Sequence, residues 1–170
     1  MKSVLISIQP KWCELIASGQ KTVEVRKTKP KLEPPFKCYI YCTKVKFNPH
    51  EHLRNNLHYD DSTIKVCEGQ GKVIGEFVCD KMLESFLNNN DGWFVEKGCL
   101  TPKEIDEYQG DKAILYGWHI SDLKIYDHPK KLSEFCSYDA RICIDENGFP
   151  MPTHAITRPP QSWCYVKEVE

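Results

Sequence analysis

At 170 residues, with 41% hydrophobic and 28% charged residues, the chain has the size and composition of one globular domain. No apolar run approaches the ~20 residues that a membrane helix needs, and Met1–Ile8 is too short and too alternating for a signal peptide, so the expected compartment is the cytoplasm with no membrane partner. A net charge of −1 excludes indiscriminate coating of nucleic acid, yet residues 1–47 hold ten Lys/Arg against three Asp/Glu, while the remainder holds thirteen against twenty-one. That basic N-terminal third fits either an anionic ligand or a solvated lysine-rich loop.

In chain order, Val4–Ile8 predicts a strand, and Pro10 suits the first position of a helix. Lys11–Ser18 sets Trp12, Leu15 and Ile16 at helical spacing, and Gly19 ends the helix. Trp12 is expected either to anchor this helix or to stack a ligand. A strand over Lys21–Arg26 then places Lys21, Val23 and Val25 on one face and Thr22, Glu24 and Arg26 on the other. Three charged side chains within six residues argue for a site rather than for core.

Prolines break the loop over 27–36, and Cys38–Thr43 is expected to be a buried strand. The nine cysteines form no C-x-x-C pair, so reduced, mostly buried thiols are expected, and neither a metal nor a cofactor is called for. Residues 48–69 read as a polar excursion, with a short helix near His50–Asn56. There His50, His52 and His58 suit a surface loop better than a metal site. Gly71–Asp80 is a clear strand in which Gly75 signals a bulge or a close backbone approach. Its Glu76 fits an exposed strand position better than a cleft carboxylate.

Asn88–Gly92 is a turn. Thr101-Pro-Lys-Glu is a capping box, opening a helix to Tyr108 that Gly110 stops. Ala113–Ile125 predicts a long strand bent at Gly117, Lys130–Phe135 a helical turn, and Arg141–Gly148 a strand and turn. A rigid Arg158-Pro-Pro-Gln-Ser entry leads to a last strand over Trp163–Val169. Repeats and a second core are absent from the pattern. The expectation is α+β, one domain over residues 1–170, with excursions at about 48–69 and 130–162, built as a small mixed β-barrel flanked by short helices.

Leu5-Ile-Ser-Ile-Gln-Pro-Lys-Trp followed by Ile16-Ala-Ser-Gly-Gln-Lys-Thr-Val-Glu-Val-Arg resembles the opening motif of the ASCH domain family. That motif is a strand, a Pro-started helix and a Gly-x-Lys-x-x-Glu-x-Arg segment. Gly71–Asp80 and Leu115–Tyr126 are similar to later strands of the family, and Pro159-Pro-Gln-Ser-Trp to endings of some bacterial and phage-borne members. The resemblance implies a PUA-like β-barrel with a cleft beside the Lys21-x-x-Glu24-x-Arg26 strand, and RNA or nucleotide-type ligands. It also implies that relatives include ribonucleases and an amidohydrolase acting on N4-acetylcytidine. In the latter, a threonine nucleophile lies three residues after the motif lysine. Here that position is Glu24, and Thr22 lies one residue after Lys21.

The side chains allow matching roles. Arg26 carries a planar fork of donors for phosphate or a base edge. Glu24 either pairs with it or accepts from a base amino group. Lys21 supplies a point charge, or a base if burial lowers its pKa. Lys27, Lys29 and Lys31 would extend a phosphate track, and Trp12, Trp163 or a tyrosine would stack a base. Three functions are consistent with this set. The first is a module binding RNA or a nucleoside or nucleotide. The second is a hydrolase of RNA or a modified nucleoside, with Lys21 and Glu24 (or Glu76) in acid/base roles. The third is an interaction protein of unknown protein partner, using the segments 48–69 and 130–162.

Overall fold

The computed structural model describes residues 1–44, 69–86, 92–138 and 155–169. The expected excursion at 48–69 with its histidines, most of the Asn88–Gly92 turn and the Arg141–Gly148 strand fall outside these residues.

The first strand, β1 (Lys2–Ile8), leads into α1 (Pro10–Ala17), β2 (Val23–Arg26) and β3 (Phe36–Cys42). Then come β4 (Val73–Cys79), β5 (Met82–Phe86), α2 (Gly92–Glu96) and α3 (Pro102–Gln109). The chain continues with β6 (Ile114–His119), β7 (Ser121–Lys130), a 3-10 turn at Leu132–Glu134 and β8 (Trp163–Lys167). Among the described residues no helix is long and apolar enough to cross a membrane.

The strands pair in two sheets, a five-stranded one in the order β7-β4-β3-β1-β8 and a three-stranded one in the order β2-β6-β5. β1 and β3 run parallel, a pairing that needs a crossover connection, here supplied by α1 and β2. The other pairings are antiparallel. The architecture is therefore mixed α+β. Among the described residues the strands form these two sheets, with no ladder between them.

Alternation along the buried strands builds two cores. Val4, Ile6 and Ile8 of β1 join Cys38, Ile40 and Cys42 of β3, with Phe77, Trp118 and the α1 residues Cys13 and Ile16, between the two sheets. Leu5, Tyr39, Tyr41, Val73, Phe135 and Val166 fill the opposite face of the larger sheet. A smaller cluster of Val25, Phe94 and Leu115 lies behind β2. The seven described cysteines are free thiols, and Cys13, Cys38, Cys42 and Cys79 are buried in the first core.

Several local signals act as expected. Gly19 leaves α1 with φ +76°, a conformation glycine tolerates without strain. Thr101 accepts from the Glu104 N–H while Glu104 returns a bond to the Thr101 N–H, and Gly110 ends α3. At Gly75 the ladder register slips on both sides of β4, and a Cβ would come within 2.5 Å of the Lys124 carbonyl oxygen.

The predicted strand Ala113–Ile125 is in fact two strands. β6 pairs with β2 and β5, and after Ile120 the chain crosses to pair with β4 in the other sheet. The Ile120 N–H bonds to the Thr22 carbonyl at 2.9 Å, which fixes the crossing beside the start of β2. Gly117 is not the bend. It lies within β6 under Trp93, where a Cβ would approach the ring to 2.7 Å.

Candidate functional site

Lys21, Glu24 and Arg26 are 2%, 5% and 8% exposed, so the charged cluster is buried rather than displayed. Burial is tolerable because the three charges meet one another. Arg26 Nη2 lies 2.9 Å from Glu24 Oε1, and Lys21 Nζ lies 3.6 Å from Glu24 Oε2. The triad carries a net charge of +1.

Alternation would have sent Lys21 to the face opposite Glu24. The structure joins them because β2 starts only at Val23. The Thr22 and Val23 N–H groups both bond to the Lys97 carbonyl, at 3.0 Å each, so residues 21–22 follow the 97–98 segment instead of the sheet. Lys21 Nζ then donates to the Gly98 carbonyl at 2.5 Å and lies 4.9 Å from the centre of the Trp12 ring. Burial pushes the Lys21 ammonium below the usual lysine range, although Glu24 opposes the change.

Arg26 is largely committed to the protein. Its Nη2 donates to the Ser7 carbonyl at 2.6 Å, and its Nη1 reaches the Ser162 hydroxyl at 3.4 Å. Ser7 in turn donates its hydroxyl to the Pro160 carbonyl at 2.7 Å and its N–H to the Ser162 carbonyl at 2.9 Å. One guanidinium thus ties β1, β2 and the strap before β8 together. The guanidinium is thus not the free fork expected from the sequence, and its Nε is buried with no acceptor among the described residues.

The triad lines a cavity of about 1020 Å³. Gln9 and Trp12 of the α1 region, Leu100, Glu104 and Tyr108 around α3, Tyr41 and Lys44 from β3 onward, and Pro159–Ser162 complete its walls. Both aromatic and donor-bearing side chains therefore converge on a space of ligand size. Glu104 at its mouth pairs with Lys11 of α1 at 3.1 Å. Tyr108 is 38% exposed, burial raises the pKa of its hydroxyl, and Lys27 Nζ sits 5.0 Å from its ring.

Of the six residues singled out from the sequence, Trp12, Lys21, Glu24 and Arg26 line this cavity. Lys27 lies beside it, on Tyr108, and does not line it. Trp163 is outside. It packs 6.0 Å from Trp118 and 5.3 Å from Tyr165, and its Nε1 donates to Thr28. The expected lysine track also divides, because Lys29 is held at 2.6 Å by Glu84 while Lys31 is exposed. Glu76 lies elsewhere, accepting from the Tyr126 hydroxyl at 2.5 Å near Lys37, and is half-buried rather than exposed.

Sequence reasoning missed Ser7, Gln9, Tyr41, Gly98 and Tyr108. No local pattern marks them, since each enters through a contact with a distant segment. Only the Gln9-Pro10 helix start and the Tyr108 helix end were visible.

The sequence profile of the ASCH domain matches residues 6–142. No curated protein is matched in sequence. Among solved structures, the fold is similar to that of the ASCH protein from Zymomonas mobilis, with a TM-score of 0.62 at 18% identity, covering 98% of this chain and 88% of that one. Two mutants of the same protein superpose similarly, with TM-scores of 0.59 and 0.60, both at 18% identity. They cover 99% and 98% of this chain and 92% and 89% of theirs. At this identity the likeness concerns the fold, while the profile spans most of the sequence: the chain belongs to the ASCH domain family.

Proposed function

We propose that the protein binds RNA or a nucleotide in the cavity beside β2. The observation that carries this reading is the buried Lys21–Glu24–Arg26 triad, with net charge +1, in the wall of a cavity of about 1020 Å³ that also has Trp12 and Tyr108 in its walls. Positive charge suits a phosphate or base carbonyl, and the aromatic rings suit a base face. RNA or nucleotide-type ligands are also what the family resemblance implies. Lys21 and Arg26 set the potential of the site, Trp12 and Tyr108 stack the base, and Lys27 acts from the rim through Tyr108. Trp163 supports the strap from outside. In this reading the two sheets around the main core are a PUA-like barrel whose opening is the cavity.

A second reading, hydrolysis of RNA or a modified nucleoside, is favoured by one observation. Burial lowers the pKa of Lys21, which moves the amine toward use as a base. Glu24 fits that chemistry less well, because each of its oxygens already faces a cation.

Calorimetric titration of nucleoside monophosphates, modified nucleosides and short RNAs tests both. Binding by the wild type, weakened by Trp12→Ala and Tyr108→Ala, is the expected result. Absence of binding by every ligand overturns the reading, and chemical turnover of a bound ligand replaces it with the hydrolase.

A further inference from the structure

Lys2 of β1 and Lys167 of β8 face each other directly across the antiparallel ladder. Like charges in that position are unfavourable, and among the described residues neither is in an ion pair. Lys2 Nζ instead lies 3.8 Å from the centre of the Tyr165 ring and 4.8 Å from that of Tyr138. Tyr165 accepts from the backbone N–H of Lys31 through its hydroxyl at 2.7 Å, which sets the main chain of a third lysine beside the same ring. Lys31, Lys167 and Tyr138 are exposed. Glu168, the residue after β8, is held by Lys37 at 3.1 Å.

Two repelling lysines with no carboxylate partner among the described residues, interleaved with tyrosines, form a basic surface rich in ring faces. Basic patches interleaved with aromatics match a single-stranded nucleic acid, which supplies both phosphates and bases. Position favours the same partner. Ser162 lines the cavity, and Lys167 is five residues further along β8, roughly 17 Å at strand rise. A mononucleotide in the cavity cannot reach the strip, whereas a connected strand can.

We infer that the strip of Lys2, Lys31, Tyr138, Tyr165 and Lys167 is a second contact surface for single-stranded RNA, holding the chain that leaves the cavity. The inference rests on the cavity being an RNA or nucleotide site. The strip makes an oligonucleotide bind more tightly than its own monomer unit, and it makes that extra affinity salt-dependent.

The test compares uridine monophosphate with a uridine decamer on wild type, Lys2→Ala/Lys167→Ala and Lys167→Glu. In the double variant, decamer affinity falls about tenfold and the slope of log K against log salt becomes shallower by about 1.4, two phosphate contacts at ~0.7 each. Monophosphate affinity is unchanged. Lys167→Glu places opposite charges across the ladder, so its melting temperature rises or holds while decamer binding weakens. A loss of fold would move both together. Decamer affinity equal to wild type in both variants overturns the strip and leaves the cavity reading intact. Failure of the wild type to bind either ligand overturns both. Displacement of the decamer from the strip by polyglutamate as effectively as by unlabelled decamer identifies an acidic protein as the partner, and overturns RNA.

Discussion

Arg26 Nη2 stands 2.9 Å from Glu24 Oε1, and that pair is the neutral centre around which a third buried charge, Lys21, is accommodated. Removing one partner from a buried ion pair leaves an uncompensated charge. Glu24→Gln leaves two buried cations side by side and should cost about 3–5 kcal/mol. Lys21→Met leaves Glu24 still paired with Arg26 and removes the more deeply buried cation, so its stability should change far less. Urea unfolding of the two variants at neutral pH checks the order. Equal losses would mean that Lys21, not Arg26, is the principal partner of Glu24.

The wild type and Lys21→Met should also diverge with pH. The Lys21 pKa is lower in the folded protein than the usual 10.5. Between the lowered value and 10.5 the unfolded chain binds more protons, so stability attributable to this residue rises with pH across that window. The difference in melting temperature, wild type minus Lys21→Met, should increase as pH rises toward 10.5. A flat difference would place the Lys21 amine in water.

The buried thiols act in the opposite direction. Burial raises the pKa of Cys13 and Cys38 well above the usual 9.0, and that of Cys79 to about 12. Above pH 9 the unfolded chain releases these protons while the folded one keeps them, so stability falls as pH rises. Cys79→Ala should lessen that alkaline loss while costing some packing at neutral pH. Denaturant midpoints of both proteins from pH 7 to 10.5 measure the effect.

How far the sequence reveals the site depends on how local each contact is. The helix ends at Gly19 and Gly110 and the Thr101 capping box depend on neighbours within a few residues, and all were legible; the Gly75 bulge, set against distant strands, was signalled only by the glycine itself. Legible too was the singling out of Lys21, Glu24 and Arg26, whose side chains meet in the wall of one cavity. The side of the strand on which Lys21 lies was not, because the Lys97 and Gly98 carbonyls that redirect it come from the far side of α2. The commitment of Arg26 to Ser7 and Ser162 was hidden for the same reason, with partners 19 and 136 residues away. Likewise, the division of 113–125 into two strands is set by which sheet each half meets. Its hydrophobic pattern continues through Ile120 without interruption.

Trp12 and Tyr108 lie on α1 and α3, which an ion pair from Lys11 to Glu104 at 3.1 Å joins. If a base stacks between or upon these rings, each truncation to Ala should reduce nucleotide affinity by about 1–3 kcal/mol. Tyr108→Phe should retain most of it. Lys11→Ala should change stability by no more than about 1 kcal/mol, since the pair is exposed. Titration calorimetry beside thermal melting separates the two effects. Loss of affinity in Tyr108→Phe equal to that in Tyr108→Ala would transfer the role of Tyr108 from its ring to its hydroxyl.

Gly98 links the fold to the site. A Cβ there would collide with the Phe94 carbonyl oxygen, and the Gly98 carbonyl is the one that Lys21 Nζ holds at 2.5 Å. Gly98→Ala must therefore shift the 97–98 segment, loosening both the start of β2 and the acceptor of a buried ammonium. A loss of about 1–3 kcal/mol is expected, the cost of forcing atoms into occupied space. In the Lys21→Met background the part of that loss due to the ammonium should vanish, so the two substitutions should be less than additive. Strict additivity in a double-mutant cycle would separate Gly98 from the charge triad and leave it as a backbone position alone.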